Sequence, residues 1–313
     1  MIKFSDRILV TGGTGLIGVN LMNRLKEQGF EVYSIGSETD LRDNSTCEKI
    51  FQSFKPTVVY HLAARVGGIY ANSTFKSDFY SDNVLINTNV VNACVSYNVN
   101  YIFAMGTGCA YPKRLENDLL HEEDFLDGIP EVTNDAYAYA KRGLLVHLKA
   151  LGENDLIKYV YCLPANIYGP YDNFHPLHSH VVPGLIRRFC ESVDKKEKSI
   201  SIWGNGLAKR DFMYIDDCID AIMILTNKKA FGTYNVATEQ LTKIRDLANY
   251  LAELSGFEGE ILYDKNKPEG QLRRVLDSSK IRNLGWDSKI PIKEGLKKVI
   301  NWYRNNPSLI RER

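Results

Sequence analysis

The chain has 313 residues, and its 39 Lys plus Arg nearly balance its 38 Asp plus Glu, so there is no bulk field to gather nucleic acid or an anionic membrane surface. No stretch approaches the roughly 18 apolar residues of a bilayer span, and the start Met1-Ile2-Lys3-Phe4-Ser5-Asp6 lacks a long apolar leader, so a soluble, cytoplasmic protein is expected. Six cysteines (Cys47, Cys94, Cys109, Cys162, Cys190 and Cys218) show no C-x-x-C spacing, which predicts free thiols and no metal site.

In chain order, Ile8-Leu9-Val10 reads as a strand, and Gly12-Gly13-Thr14-Gly15-Leu16-Ile17-Gly18 leads from it into a helical pattern over 19–28. Strand, glycine turn and helix start in that order make a phosphate cradle. Backbone N–H groups at the helix N-terminus face a pyrophosphate, and missing side chains let it approach. Further strand-like runs at 31–35, 58–61, 101–105 and 158–163 alternate with helix-length segments. That alternation predicts parallel crossover units in a doubly wound α/β sheet.

From 164 to 211, Pro, Gly, His and aromatic residues accumulate, which suits an irregular, ligand-facing lobe. Residues 212–226 read as a further helix and 232–236 as a strand returned to the sheet; amphipathic helices at 244–254 and 292–303 flank a short strand at 260–263. The expected division is a dinucleotide-binding domain of residues 1–163 plus 212–239, with a smaller α+β substrate lobe of 164–211 plus 240–313.

Within Asp135-Ala136-Tyr137-Ala138-Tyr139-Ala140-Lys141, a phenol and an ammonium stand four residues apart in a helical pattern, which puts them on one face. A tyrosine of ordinary pKa about 10 exchanges protons poorly near neutrality, and a neighbouring cation favours its phenolate. Alone, such a pair is more often a packing residue beside a solubilising one. The upstream glycine cradle favours the acid/base reading.

Longer motifs narrow the field. They are His61-Leu62-Ala63-Ala64-Arg65-Val66-Gly67-Gly68-Ile69, Gly106-Thr107-Gly108-Cys109-Ala110-Tyr111-Pro112, and Pro164-Ala165-Asn166-Ile167-Tyr168-Gly169-Pro170 running on through Asp172-Asn173-Phe174-His175-Pro176. Ser179-His180-Val181, Trp203-Gly204-Asn205-Gly206 and Arg210-Asp211-Phe212 complete the set. On these residues the chain resembles, nearly end to end, the extended short-chain dehydrogenase/reductases, and within them the epimerase/reductases of GDP-4-keto-6-deoxy-mannose.

That resemblance implies a 4-keto sugar reduced at C4 by a nicotinamide hydride, with Tyr137 as proton donor, Lys141 lowering its pKa and holding the nicotinamide ribose, and Thr107 bonding the keto oxygen. Most relatives carry Ser where Thr107 stands, so the hydroxyl survives with an added methyl. Cys109 and His180 match the base and acid that invert C3 and C5, whose hydrogens the 4-keto group acidifies. A thiol and an imidazole both titrate close enough to neutrality for that exchange. The implied cofactor-binding residues, besides Tyr137 and Lys141, are Gly12, Thr14, Gly15, Leu16, Ile17, Gly18, Ser37, Leu62, Ala63, Ala64, Pro164, Asn166 and Ile167. Those for the sugar nucleotide are Asn166, His180, Val181, Arg188, Trp203, Arg210, Arg273, Arg274 and Asp277, arginine being suited to a pyrophosphate by its two-pronged donor geometry.

The turn Ser34-Ile35-Gly36-Ser37-Glu38 has no acid directly after the strand and leaves room for a 2′-phosphate, so NADP(H) is expected over NAD(H), unless Glu38 turns inward. A 4,6-dehydratase is disfavoured because Gly108-Cys109 replaces its Asp-Glu pair. A C4-reductase without epimerase activity, acting on a related GDP-4-keto-6-deoxy hexose or heptose, remains the rival reading, and a noncatalytic dinucleotide sensor a weaker one. Apolar residues at Val84, Ile86, Val90, Val91, Leu144, Leu145 and Leu148 lie on helices that, in this superfamily, pair into a four-helix bundle, so a homodimer is expected.

Overall fold

Strands alternate with helices along most of the chain in a computed structural model that describes residues 2–113, 119–267 and 272–312. The strands are β1 (Ile8–Thr11), β2 (Val32–Ile35), β3 (Val58–His61), β4 (Tyr101–Met105), β5 (Leu119–Leu120), β6 (Lys158–Pro164), β7 (Asn166–Tyr168), β8 (Ser199–Trp203), β9 (Lys209–Tyr214), β10 (Gly232–Val236), β11 (Leu241–Lys243), β12 (Glu260–Asp264) and β13 (Val275–Leu276). The helices are α1 (Leu16–Glu27), α2 (Asn44–Phe54), α3 (Ile69–Thr74), α4 (Lys76–Ser96), α5 (Asp135–Glu153), α6 (Val181–Asp194), α7 (Ile215–Asn227), α8 (Ile244–Ser255), α9 (Ser279–Arg282) and α10 (Ile292–Asn305).

Six strands form one parallel sheet of order β10-β6-β4-β3-β1-β2. The inner strands β1, β3, β4 and β6 are covered on both faces, which is why they read as apolar runs, while the edge strand β2 leaves Tyr33 and Ser34 exposed. Alternate residues serve the two sides. Ile8, Val10, Val58, Tyr60 and Phe103 pack with Leu21 and Leu25 of α1 and Ile219 and Ile222 of α7. Leu9, Val59, Ile102 and Tyr161 pack with Phe51 of α2, Val90 and Cys94 of α4, and Leu144 and Leu148 of α5. Each such side chain contributes about 1.5–3 kcal/mol through burial, which locks the register and the sites at the strand ends.

The expected strands of the large sheet are all present, and the doubly wound parallel fold is observed. Between 164 and 211 the chain is more regular than its composition implies, holding β7, α6, β8 and the start of β9. Residues 212–214 belong to β9, with α7 starting only at Ile215; the correction follows from pairing, since Asn166–Tyr168 of β7 align in parallel with Phe212–Tyr214, a partner that no local pattern reveals. A second sheet of order β11-β9-β7 and the pairs β12-β8 and β13-β5 complete the strands. The expected dimer residues also need correcting. Val90, Val91, Leu144, Leu145 and Leu148 are buried within the chain, and the apolar residues left exposed on α4 and α5 are Tyr80, Leu85, Tyr139 and Val146.

Candidate functional site

The glycine turn after β1 is built as a cradle. Gly12 has φ +74°, and a Cβ there would lie 2.8 Å from the Ala63 nitrogen; a Cβ on Gly18 would sit 2.2 Å from the Gly12 carbonyl oxygen. The turn and α1 therefore approach more closely than any side chain allows. α1 begins at Gly15 with no side-chain cap and no acid in its first turn, leaving the N–H groups of Leu16 and Ile17 and the positive helix end facing outward. Thr11 Oγ1 accepts from the Ala63 nitrogen at 3.2 Å, and the Thr11 carbonyl accepts from the Leu62 nitrogen at 3.2 Å. The cradle and the Leu62-Ala63-Ala64 loop are thus one unit, beside Thr14.

At the end of β2, the exposed Glu38 folds back on its own turn: its Oε1 accepts from the Gly36 nitrogen at 2.6 Å. Ser37 beside it is exposed. His61 lies beneath the loop, fully buried, with Nδ1 2.9 Å from Thr11 Oγ1 and Nε2 3.0 Å from Asn87 Oδ1. Burial first, and then the Lys141 charge, push it down to about 3, so it is a neutral packing residue, as its position implied.

α5 carries Tyr137 and Lys141 on one face. The lysine is 2% exposed, and its Nζ donates to the Met105 carbonyl at 2.9 Å while lying 5.9 Å from the centre of the Tyr137 ring. Burial lowers its pKa to about 8. Burial, followed by the charge of Cys109, pushes the Tyr137 phenol upward. The expected downward push from Lys141 is not the dominant influence, because the ammonium is engaged with the end of β4. The phenol rests protonated, the state a proton donor requires.

Thr107, two residues past the end of β4, caps the short turn Gly108–Ala110, its Oγ1 accepting from the Cys109 nitrogen at 3.2 Å. The Cys109 carbonyl accepts from Asn134 Nδ2 at 2.9 Å, so the residue before α5 ties the thiol to the tyrosine helix. Asn134 carried no motif signal and was missed. Arg274 Nη2 lies 3.2 Å from Cys109 Sγ. Burial raises the thiol, but the Arg274 guanidinium, the hydrogen bonds from Arg274 and Thr107, and the charge of Arg210 bring it below its ordinary value. Thr107, Cys109, Tyr137, Lys141 and Arg274 therefore gather at the ends of β4 and α5.

His180 and Val181 lie apart in sequence and are both exposed, His180 at the N-terminus of α6. Buried Asp172 faces His180; burial raises its carboxyl to about 6, against the pull of the His180 charge, the Asn173 N–H and Arg311. Pro164 ends β6, its carbonyl 2.9 Å from a Cβ built on Gly108. Asn166 donates to the Asp211 carbonyl at 2.7 Å, with Ile167 next in β7.

The remaining expected substrate residues are spread over the second half of the chain. Arg188 donates to the Ser201 carbonyl across the crease between α6 and β8. Trp203 is 41% exposed, with Lys267 Nζ 5.8 Å from its ring centre. Arg210 Nη1 donates to the Lys209 carbonyl at 2.9 Å, and Arg273 is half-buried. Asp277 accepts from the Ser279 nitrogen at 2.8 Å and faces His121 at 3.9 Å.

A family model, described as the NAD dependent epimerase/dehydratase family, matches residues 8–237. GDP-L-fucose synthase 1 of Arabidopsis thaliana is 36% identical over 305 residues, covering 96% of this chain and 94% of the plant protein. A GDP-L-fucose synthetase from Naegleria fowleri, solved with NADP bound, superposes with a TM-score of 0.88 at 29% identity, covering 100% of this chain and 96% of that one. A GDP-6-OMe-4-keto-L-xylo-heptose reductase from C. jejuni superposes with a TM-score of 0.90 at 26% identity, covering 97% and 99%.

Proposed function

The chain belongs to the NAD dependent epimerase/dehydratase family, and we propose that within it this chain epimerises C3 and C5 of a GDP-linked 4-keto-6-deoxy sugar and then reduces C4. The observation that carries the reading is the gathering of two proton-transfer groups in one site, a Cys109 thiol with Arg274 Nη2 3.2 Å from its sulfur and a Tyr137 phenol on the same face of α5 as Lys141. A sensor needs no such pair, and Gly108-Cys109 stands where a dehydratase would carry its Asp-Glu pair. The similarity to GDP-L-fucose synthases supports the substrate class.

In this reading Cys109 removes the proton from carbon beside the keto group, and His180 delivers one to the opposite face, inverting the centre through an enolate. Thr107 Oγ1 takes the Cys109 N–H, and its one hydrogen, turned to the Cys109 sulfur in the resting site, swings to the C4 oxygen when substrate is bound. That bond stabilises the negative charge that grows on the oxygen in both half-reactions. Tyr137 protonates the same oxygen as hydride arrives at C4, and buried Lys141 fixes the tyrosine face. The arginines Arg188, Arg210 and Arg273 supply the charge for a diphosphate, with Trp203 as an aromatic platform and Asn166, Val181 and Asp277 around the sugar nucleotide.

The residues present fit a dinucleotide: the glycine-rich cradle Gly12 to Gly18, the uncapped α1, the Leu62-Ala63-Ala64 loop and the stretch Pro164 to Ile167 would hold it, with Ser37 at its ribose end. The bound cofactor, NADP(H) in this reading, supplies the hydride. The NADP found in the Naegleria structure supports that choice, while the Glu38 carboxylate stays folded onto its own turn. We also propose a homodimer through the exposed Tyr80, Leu85, Tyr139 and Val146 of α4 and α5.

A second reading, C4 reduction of a GDP-linked hexose or heptose without epimerisation, is favoured by the similarity to the heptose reductase. Incubation with NADPH and GDP-4-keto-6-deoxy-mannose, followed by NMR of the product, separates the two. An L-configured 6-deoxy product supports epimerisation plus reduction. A D-configured product supports the plain reductase, and an unconsumed substrate overturns both.

A further inference from the structure

Arg274 stands 165 residues from Cys109 in the chain, and its Nη2 is nevertheless 3.2 Å from Cys109 Sγ. The contact is built from both sides. Arg274 immediately precedes β13, which is fastened to β5 by parallel pairing of Val275 with Leu119. Its guanidinium lies along the Gly108 turn, Nε coming within 3.8 Å of a Cβ built on Gly108. On the other side, Cys109 is pinned through its nitrogen by Thr107 and through its carbonyl by Asn134. The thiol therefore does not meet the arginine by a chance rotamer of one flexible side chain.

The groups facing the thiol are Arg274 and Arg210 from the second half of the chain, the Thr107 hydroxyl from its own turn, and the Tyr137 phenol from α5. Two of these are permanent cations and the others are neutral at pH 7. A guanidinium N–H is a strong donor that gains little from a neutral thiol, a weak acceptor, and much from a thiolate. Because burial opposes the charged form, the ion must be stabilised by these neighbours; Arg274 brings a charged donor to 3.2 Å from the sulfur, and the Thr107 hydroxyl adds a neutral hydrogen bond.

We propose that Arg274 is a positioning residue that holds Cys109 as the thiolate, so that the base of the epimerisation step is already formed when substrate arrives. This gives Arg274 a role different from the diphosphate contact that its position in the sequence implied. The thiolate also leaves the neighbouring phenol protonated, so the carbon base and the oxygen acid are set in opposite states by one contact. The use of the thiolate in epimerisation rests on the function proposed above; its existence does not.

Alkylation separates the two. Iodoacetamide reacts with the thiolate, the other five cysteines are buried, and peptide mass spectrometry reads Cys109 directly. The rate against pH for the parent protein should have a midpoint below about pH 7, well under the ordinary thiol value. Arg274→Gln should move the midpoint upward and slow labelling at pH 7 by about tenfold, the lower end of what a hydrogen bond to a charged group is worth. Arg274→Lys should retain most of the parent's reactivity. A parent midpoint above about pH 7 overturns the assignment, as does an unchanged profile in Arg274→Gln. If Arg274→Gln does not fold, the parent profile and Arg274→Lys still decide. Solvent-deuterium exchange at C3 and C5 should shift to higher pH in Arg274→Gln. Alkylation as predicted, with no deuterium exchange in the parent, leaves the thiolate standing and removes the epimerase reading.

Discussion

Lys141 should make the protein less stable at neutral pH than it is in alkali, by an amount the structure sets. The amine is 2% exposed, it donates to the Met105 carbonyl, and burial lowers its pKa from 10.5 to about 8. Between those two pH values the unfolded chain carries the proton and the folded chain does not. Unfolding then takes up a proton, and stability rises with pH. At about 1.4 kcal/mol per pH unit, the gap from 10.5 to about 8 amounts to about 3 kcal/mol, a large fraction of a typical domain's stability. The substitution Lys141→Met removes the titrating group and keeps the length of the side chain. Urea unfolding followed by circular dichroism, at fixed protein concentration from pH 7 to 10.5, should show the parent gaining about 3 kcal/mol relative to Lys141→Met across that window. The variant should lack reductase activity throughout, a trade of stability against function. Parallel stability curves for the two proteins would refute the argument, because they would mean that the buried amine is solvated as well in the folded chain as in the unfolded one.

The same site makes other measurable demands. Tyr137→Phe should lower reductase turnover by about 100 to 10,000-fold, the usual cost of losing a general acid, with nucleotide affinity nearly unchanged; turnover within threefold of the parent would end the assignment. NADPH should give a higher kcat/KM than NADH, and equal or better use of NADH would place Glu38 on the ribose. Light scattering should report a dimer at micromolar concentration, and Leu85→Lys with Val146→Lys should yield monomer; a parent species of monomer mass would contradict the proposed interface.

Much of this architecture was legible because parallel strands and their covering helices leave local marks. The runs at β1, β3, β4 and β6 are buried on both faces, so they are apolar without interruption, and Gly12 and Gly18 are fixed by backbone contacts too close for a Cβ. Tyr137 and Lys141 share a face by helical spacing alone. What stayed hidden depends on partners distant in sequence. β9 is a strand because β7 pairs with it, and its own residues read as readily as the first turn of a helix. The amphipathic pattern of α4 and α5 marked apolar residues but not which of them the sheet covers, so Val90 and Leu144 were expected outside and lie within. Spacing placed Lys141 beside Tyr137 but gave no sign of the Met105 carbonyl that holds its ammonium, nor of the guanidinium of Arg274 on Cys109.

The account's central claim, that one site both inverts carbon and reduces a ketone, is tested most directly by proton exchange without reduction. GDP-4-keto-6-deoxy-mannose incubated in D2O with the enzyme and oxidised NADP should take up deuterium at C3 and C5. With Cys109→Ser the uptake should fall steeply, since a serine hydroxyl is far too weak an acid to serve as its ionised base near neutrality. Reduction of an already epimerised 4-keto sugar by that variant with NADPH should survive, because Thr107, Tyr137 and Lys141 are untouched. Absence of deuterium at both carbons in the parent, with reduction intact, would contradict the claim and leave a C4-reductase.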